Sequence, residues 1–352
     1  MDIGRIDKNL RVETEIKREG LTFFDIKDEP FSIYGVFYEN GEFVRMPDKA
    51  AAAVSDRVHI LSKHTAGGRV RFITDSPYIA IKAVQKGSPN MSNMSPIGQA
   101  GLDLYRRDCG EEVYVKSFVP PFFSRDGFES VIDLPEAGEQ VFTINFPLYF
   151  PVRELYVGIK AGSTLKAAPK YTVEKPVVFY GSSITQGGCA SRAGTSYQGF
   201  LSRWYDMNYI NLGFSGSAKG EESIARYIAG LDMSAFIYDY DHNTDSPQHL
   251  RETHGKFYSI IREAHPDIPI VFMTRPRHYL NKAETLQRDI IYNNYSEALA
   301  RGERVYFVPG AELMALCAND GTVDGVHPTD FGFFSMASRL KVEFDKFISD
   351  LK

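Results

Sequence analysis

The chain of 352 residues is poor in cysteine, has a single tryptophan and contains no long apolar run. Its three cysteines, Cys109, Cys189 and Cys317, are too few and too widely spaced for a disulfide framework or a zinc ribbon, and they read as free thiols. No stretch approaches the length of a membrane span, and the opening MDIGRIDKNLRVETEIKREG is charged from its start, without the apolar core of a signal peptide. These absences predict a soluble, cytoplasmic protein. Positive charge is in no excess either. Lys and Arg number 40 against 45 Asp and Glu, a net charge of −5, with no basic stripe to follow a phosphate backbone or an anionic bilayer. Neither nucleic acid nor a membrane is an expected partner. Internal repeats and low-complexity tracts are also missing.

What the chain does have is 43% hydrophobic residues, enough for a substantial core, distributed in two rhythms. Up to about residue 168, short alternating runs such as FSIYGVFYENGEFVRM, GGRVRFITDSPYIAIKAV, EVYVKSFV, QVFTINFP and ELYVGIKA are separated by Gly, Pro, Asn and Asp. That pattern predicts an all-β sandwich, with KAAAAVSDR as a short helix. Beyond KAAPKYTVEKP, apolar strands at VVFYG, YINLGFSG, AFIYDYD, IPIVFMTR and RVYFVPG alternate with segments that carry apolar residues at three- and four-residue intervals. Five strand–helix units predict an α/β fold, a parallel sheet covered on both faces, with a boundary near Lys170: residues 1–170 as a β-sandwich, 171–352 as the α/β domain. In such open sheets ligands bind beyond the carboxyl ends of the strands, which is where chemistry should be sought.

Four features fall there. FYGSSITQGG places Ser182 and Ser183 directly after the first strand, in a loop that lacks the dinucleotide and phosphate-loop fingerprints and fails the GxSxG elbow, because Thr185 stands where its last glycine would be. DGTVDGVHPTDFG carries Asp324 and His327 three apart, just before the final helix. A serine hydroxyl needs a base to take its proton, and the base needs an acid to fix its tautomer, so this spacing lets one loop supply both; otherwise Asp324 caps a turn and His327 is a surface histidine. Gly213 ends the second strand in NLGFSG and Asn243 ends the third in YDYDHN. A glycine amide and an asparagine NH₂ suit a developing oxyanion, while a tight turn and a helix cap are their ordinary alternatives.

In this order, Gly-x-Ser, Gly, Asn and Asp-x-x-His, the second half resembles the SGNH, or GDSL-type, hydrolase superfamily over about residues 175–350. GSSITQG is similar to that superfamily's first block, usually GDSxTxG, with Ser182 in the place of the aspartate and Ser183 in that of the nucleophile. The resemblance implies a five-stranded flavodoxin-like sheet, His327 as base and Asp324 as its orienter. It also implies an oxyanion hole from the Ser183 and Gly213 amides and the Asn243 side chain. DHNT stands where GxND is common, a departure that bears on substrate class. In the first half, GLDLY, Gly101 to Tyr105, resembles the signature of the GxDLY domain that precedes one group of SGNH-type esterases, which extends the likeness over nearly the whole chain and implies a jelly-roll-like accessory sandwich. The activity implied is a serine esterase for short, chiefly acetyl, esters of small molecules or glycans, working without a cofactor. A lipase or thioesterase for longer acyl chains and a non-catalytic carbohydrate-binding protein are the alternatives.

Other patterns point less far. DYDHNTDSPQHL spaces oxygens like a calcium loop, but Thr244 occupies the glycine position and Leu250 the final glutamate position. His249 and His254 are five apart, one too many to share a helical face, so no metal site is expected. Arg275, Arg277 and Tyr279 follow the fourth strand and, with Ser182, are candidate substrate contacts. Trp204, in FLSRWY, reads as helix packing.

Overall fold

The computed structural model describes residues 6, 7, 12, 16–122, 125–135 and 138–352. Among them, the first half folds as two larger antiparallel sheets and a two-stranded hairpin, Phe37–Glu39 with Glu42–Val44. One orders Leu21–Asp25, Glu154–Lys160, Tyr78–Val84 and Phe128–Asp133, and the other runs Leu165–Lys166, Arg69–Thr74, Gln140–Asn145, Leu102–Asp108, Glu111–Phe118, with Ser32–Tyr34 also pairing Arg69–Thr74. Phe72, Ile81, Leu104, Phe142 and Val157 are part of the core between them. GLDLY is where the Pro96–Ala100 helix turns into the Leu102–Asp108 strand, whose sequence shows too little alternation to have stood out. KAAAAVSDR is the correction here. It is not one helix but two, Asp48–Val54 and Asp56–Leu61, because extended Ser55 interrupts the spiral and its hydroxyl caps the second at Val58 N.

The second half is a five-stranded parallel sheet of Val173–Gly181, Met207–Gly213, Ala235–Asp239, Ile270–Met273 and Val305–Val308, in spatial order second, first, third, fourth, fifth. That is the flavodoxin-like order, whose switch point lies between the first and third strands. VVFY is apolar throughout because both faces are buried: Val177 and Phe179 face a core with the Tyr197–Tyr205 and Asp330–Phe344 helices, and Val178 and Tyr180 one with the Glu222–Ala229, Pro247–Ala264 and Lys282–Ala300 helices. No helix among the described residues is long and apolar enough to cross a membrane.

The halves are not packed separately. Met46, Ala51 and Val58 belong to the core that holds Phe236 and Leu250, and Ala66, Met94, Leu148 and Tyr149 to the core that holds Phe179 and Phe333. Buried Arg45 donates to the Asn211 and Gly213 carbonyls at 2.9 and 2.7 Å, and Arg69 to that of Tyr209 at 3.1 Å. Asp103 of GLDLY, wholly buried, accepts from Arg192 Nη1 at 3.0 Å and the Gly194 amide at 2.8 Å. Tyr105 takes a further hydrogen bond from Arg192, so the motif grips the segment after the Ser183 turn.

Candidate active site

The first strand ends at Gly181, and a single helical turn, Ser183–Gln186, follows at once. Ser182 is fully buried and its Oγ accepts from Ile184 N at 3.2 Å, so the residue that stands for an aspartate does an N-cap's work, which serine and aspartate share. Its hydroxyl is spent on the turn and does not face a substrate. Ser183 is the serine that looks outward. Its carbonyl is pinned by the Gly187 and Gly188 amides at 3.1 and 2.8 Å and by Tyr149 Oη, from the first half of the chain, at 3.1 Å.

Ser183 Oγ lies 2.9 Å from His327 Nε2, and His327 Nδ1 lies 2.8 Å from Asp324 Oδ2. An ionised carboxylate can only accept, so the ring proton sits on Nδ1 and Nε2 is left to receive the serine's. Asp324 is held by its own loop, Oδ1 accepting from the Val326 and His327 amides at 3.0 and 2.8 Å. Asn93 Nδ2, from the first half, donates to its Oδ2 at 2.9 Å. Partial burial alone would raise this carboxyl, but the hydrogen bonds from the His327 amide and ring, from Asn93 and from Val326 hold it well below the usual carboxylate range. Asp330, at the head of the final helix, accepts from Ser191 N and Thr195 Oγ1 at 2.8 and 2.7 Å and so fastens the histidine loop to the nucleophile loop.

On the oxyanion side, Gly213 and Asn243 part company. The Gly213 amide already donates to Asn211 Oδ1 at 2.9 Å, and a Cβ there would lie 2.1 Å from Gln186 N, so this glycine serves close packing of the strand end against the serine's turn. The next glycine of NLGFSG, Gly216, has φ 64°, meets nothing within 4 Å of a built Cβ, and its amide donates no hydrogen bond among the described residues. It sits in the turn closed by Ser217 N and Ala218 N on the Phe214 carbonyl at 2.9 and 3.2 Å. Asn243 Nδ2 donates to that same carbonyl at 3.2 Å, which leaves its second N–H to point elsewhere.

Arg275 is not a crevice residue. It is buried, reaching the Asp241 carbonyl and Gln287 Oε1 at 2.7 Å and Glu284 Oε1 at 2.9 Å, and thereby holds the Asp241–Asn243 turn from below. Arg277 pairs with Glu284 at 2.5 Å, and Tyr279 is 72% exposed, edge-on to His278. His242, next to Asn243, has a buried Nε2 without a hydrogen-bond partner among the described residues. Burial, then the charges of Arg275, Arg277 and His327, push its pKa down to about 3. Beneath the serine's turn, Asp239 accepts from Thr185 Oγ1 at 2.5 Å, and burial pushes its carboxyl well above the usual range.

Asn93, Tyr149 and Gly216 escape sequence reasoning for different reasons. NMSNMS and PLYF carry no motif, and only three-dimensional folding brings them to the serine. Gly216 lies inside a stretch already in view, three residues past Gly213, and only the occupied amide separates the two.

Residues 174–344 match the family model described as GDSL-like lipase/acylhydrolase, and residues 21–165 match the model described as the N-terminus of SGNH hydrolase-type esterases, GxDLY. No curated protein is similar enough in sequence to count as a match. Among solved structures, a GDSL-like lipase candidate from Bacteroides ovatus ATCC 8483 is 28% identical with a TM-score of 0.83, over 94% of this chain and 98% of that one. The salicylyl-acyltransferase SsfX3 of a tetracycline biosynthetic pathway is 20% identical with a TM-score of 0.75, over 94% and 98%. A family two carbohydrate esterase from Cellvibrio japonicus is 13% identical with a TM-score of 0.61, over 94% and 99%. The last two likenesses are of fold.

Proposed function

We propose that this chain, a carboxylic ester hydrolase that joins a GDSL-like lipase/acylhydrolase domain to a GxDLY N-terminal domain, removes short acyl groups, acetyl first among them, from carbohydrate esters by way of Ser183, His327 and Asp324. The observation that carries this is the unbroken chain of hydrogen bonds from Ser183 Oγ through both His327 nitrogens to Asp324. Ser183 Oγ attacks the ester carbonyl carbon as its proton passes to His327 Nε2, and Asp324 stabilises the imidazolium without taking the proton. The carbonyl oxygen, now an anion, is met by the Ser183 and Gly216 amides and by the free N–H of Asn243. His327 returns the proton to the leaving alcohol oxygen as the C–O bond breaks. Water then attacks the acyl-serine with His327 again as base, releasing the acid and the free serine. Cofactor chemistry has no step in this sequence.

The acetyl and carbohydrate assignments rest on the fold shared with carbohydrate esterases, an argument by likeness. A longer-chain reading draws on one observation: a groove of about 500 Å³ beside Asn93, lined in part by Met91, Met94, Phe122 and Val323. Nitrophenyl esters from acetyl to octanoyl separate the two. The proposal expects kcat/KM to fall with chain length and acetate to be released from an acetylated oligosaccharide. A rate that climbs toward octanoyl overturns it.

A further inference from the structure

Cys189 takes no part in that mechanism, yet it lies against it. Its Sγ, a nitrogen of His327 and a carboxylate oxygen of Asp324 all fall within 4.8 Å of one another. The residue is held there by a left-handed backbone, φ 72°, directly after Gly187 and Gly188, and its side chain is partly buried rather than free to swing into solvent. A thiolate, an imidazole and a carboxylate converging on one point form a donor set that suits Zn²⁺, whose ligands stand about 2.0–2.3 Å from the metal and so roughly 3.3–3.8 Å from each other in a tetrahedron.

We propose that Cys189, His327 and Asp324 form an inhibitory site for Zn²⁺ that is mutually exclusive with catalysis. The inference rests on the reading of Ser183, His327 and Asp324 as the working site. Each His327 nitrogen is already committed, Nε2 to Ser183 and Nδ1 to Asp324, so ligation through either one breaks a link of the proton path. On binding, the Cys189 S–H bond gives its proton to solvent and a Zn–S bond forms, while His327 ligates as the neutral ring and Asp324 is already an anion.

The test is zinc titration of the intact protein, each variant normalised to its own rate in chelator. Wild type is expected to lose activity reversibly, recovering with EDTA, whereas in Cys189→Ser the half-inhibiting zinc concentration rises at least about tenfold, the loss that removal of even an outer-shell partner brings. Equilibrium dialysis of Ser183→Ala, which keeps all three donors, should show one zinc bound per chain, and Ser183→Ala combined with Cys189→Ser should not. Equal inhibition of wild type and Cys189→Ser, or no zinc on Ser183→Ala, overturns the site. The esterase reading fails separately: a chain with no ester turnover would still bind zinc in dialysis.

Discussion

The crest of the parallel sheet and the face of the sandwich meet around Ser183, and they contribute in different ways. From the loops beyond the parallel strands come the candidate reactive groups, held by bonds within that half of the chain: Ser182 capping Ile184 and Asp324 gripping Val326 and His327 within three residues, and Asn243 hung on the turn at Phe214. The sandwich supplies no reactive group. It sends Asn93 to the back of Asp324, Tyr149 to the carbonyl of Ser183, and Asp103 to the Arg192–Gly194 segment. Local bonds place the chemistry, and long-range ones hold it in place.

That contrast is broken most severely by Ser183→Ala, which should reduce kcat on 4-nitrophenyl acetate by about a millionfold, since a lone serine knockout costs nearly as much as losing a whole triad. Ser182→Ala should lower stability by the worth of a cap, about 1 kcal/mol, seen as a lower melting temperature, with most activity retained. Equal rate losses in the two would reverse their roles. Asn243→Ala comes next, with about a hundredfold to a thousandfold loss in kcat and little change in KM, the usual effect of an oxyanion donor.

Asn93→Ala tests the sandwich side directly. The site's catalytic groups all remain, and kcat should fall about tenfold at constant KM, in line with the worth of a partly exposed hydrogen bond to a carboxylate. Asn93→Gln should restore part of that loss and Asn93→Asp none, because a second carboxylate repels Asp324. An unchanged kcat would confine the sandwich to a structural role.

The smallest effect concerns the sheet's own foundation. Asp239 has a folded pKa raised above its unfolded value near 3.9, so the native state holds its proton more tightly and this group's contribution to stability declines as pH rises from that value through the folded one. Asp239→Asn removes the decline, and its melting temperature relative to wild type should grow as pH rises above the unfolded carboxylate range. A difference that shrinks with pH would mean the carboxylate is charged and satisfied.

Legibility followed the same divide. The strand-to-helix alternation after Lys170 spelled out the parallel sheet because both-face burial writes apolar runs such as VVFY directly into the chain, and the alternating runs before it did the same for the sandwich. Ser183, Asp324 and His327 stood out because reactive residues at strand ends sit next to turn glycines. The Gly213 amide was misleading, since a glycine at a strand end looks alike whether its N–H is free or already given to Asn211. Arg275, a plausible rim cation in TRPRHY, proved to be an internal strut once Asp241, Glu284 and Gln287 folded around it. Asn93 carried no signal, since its partner lies 231 residues away.

The mixed cores also bear on how the chain is made. Met46, Ala51 and Val58 complete a core whose other members include Ile291 and Ala298. When synthesis has just finished the sandwich, these side chains lack the partners that the second half brings, from Val178 and Tyr180 of the first parallel strand to Ile291 and Ala298 much later in the chain. The first half therefore leaves the ribosome with an apolar flank that only the second half can close, which makes the order of synthesis a period of exposure and ties the chain's solubility during birth to the arrival of the helices from Glu222 onward.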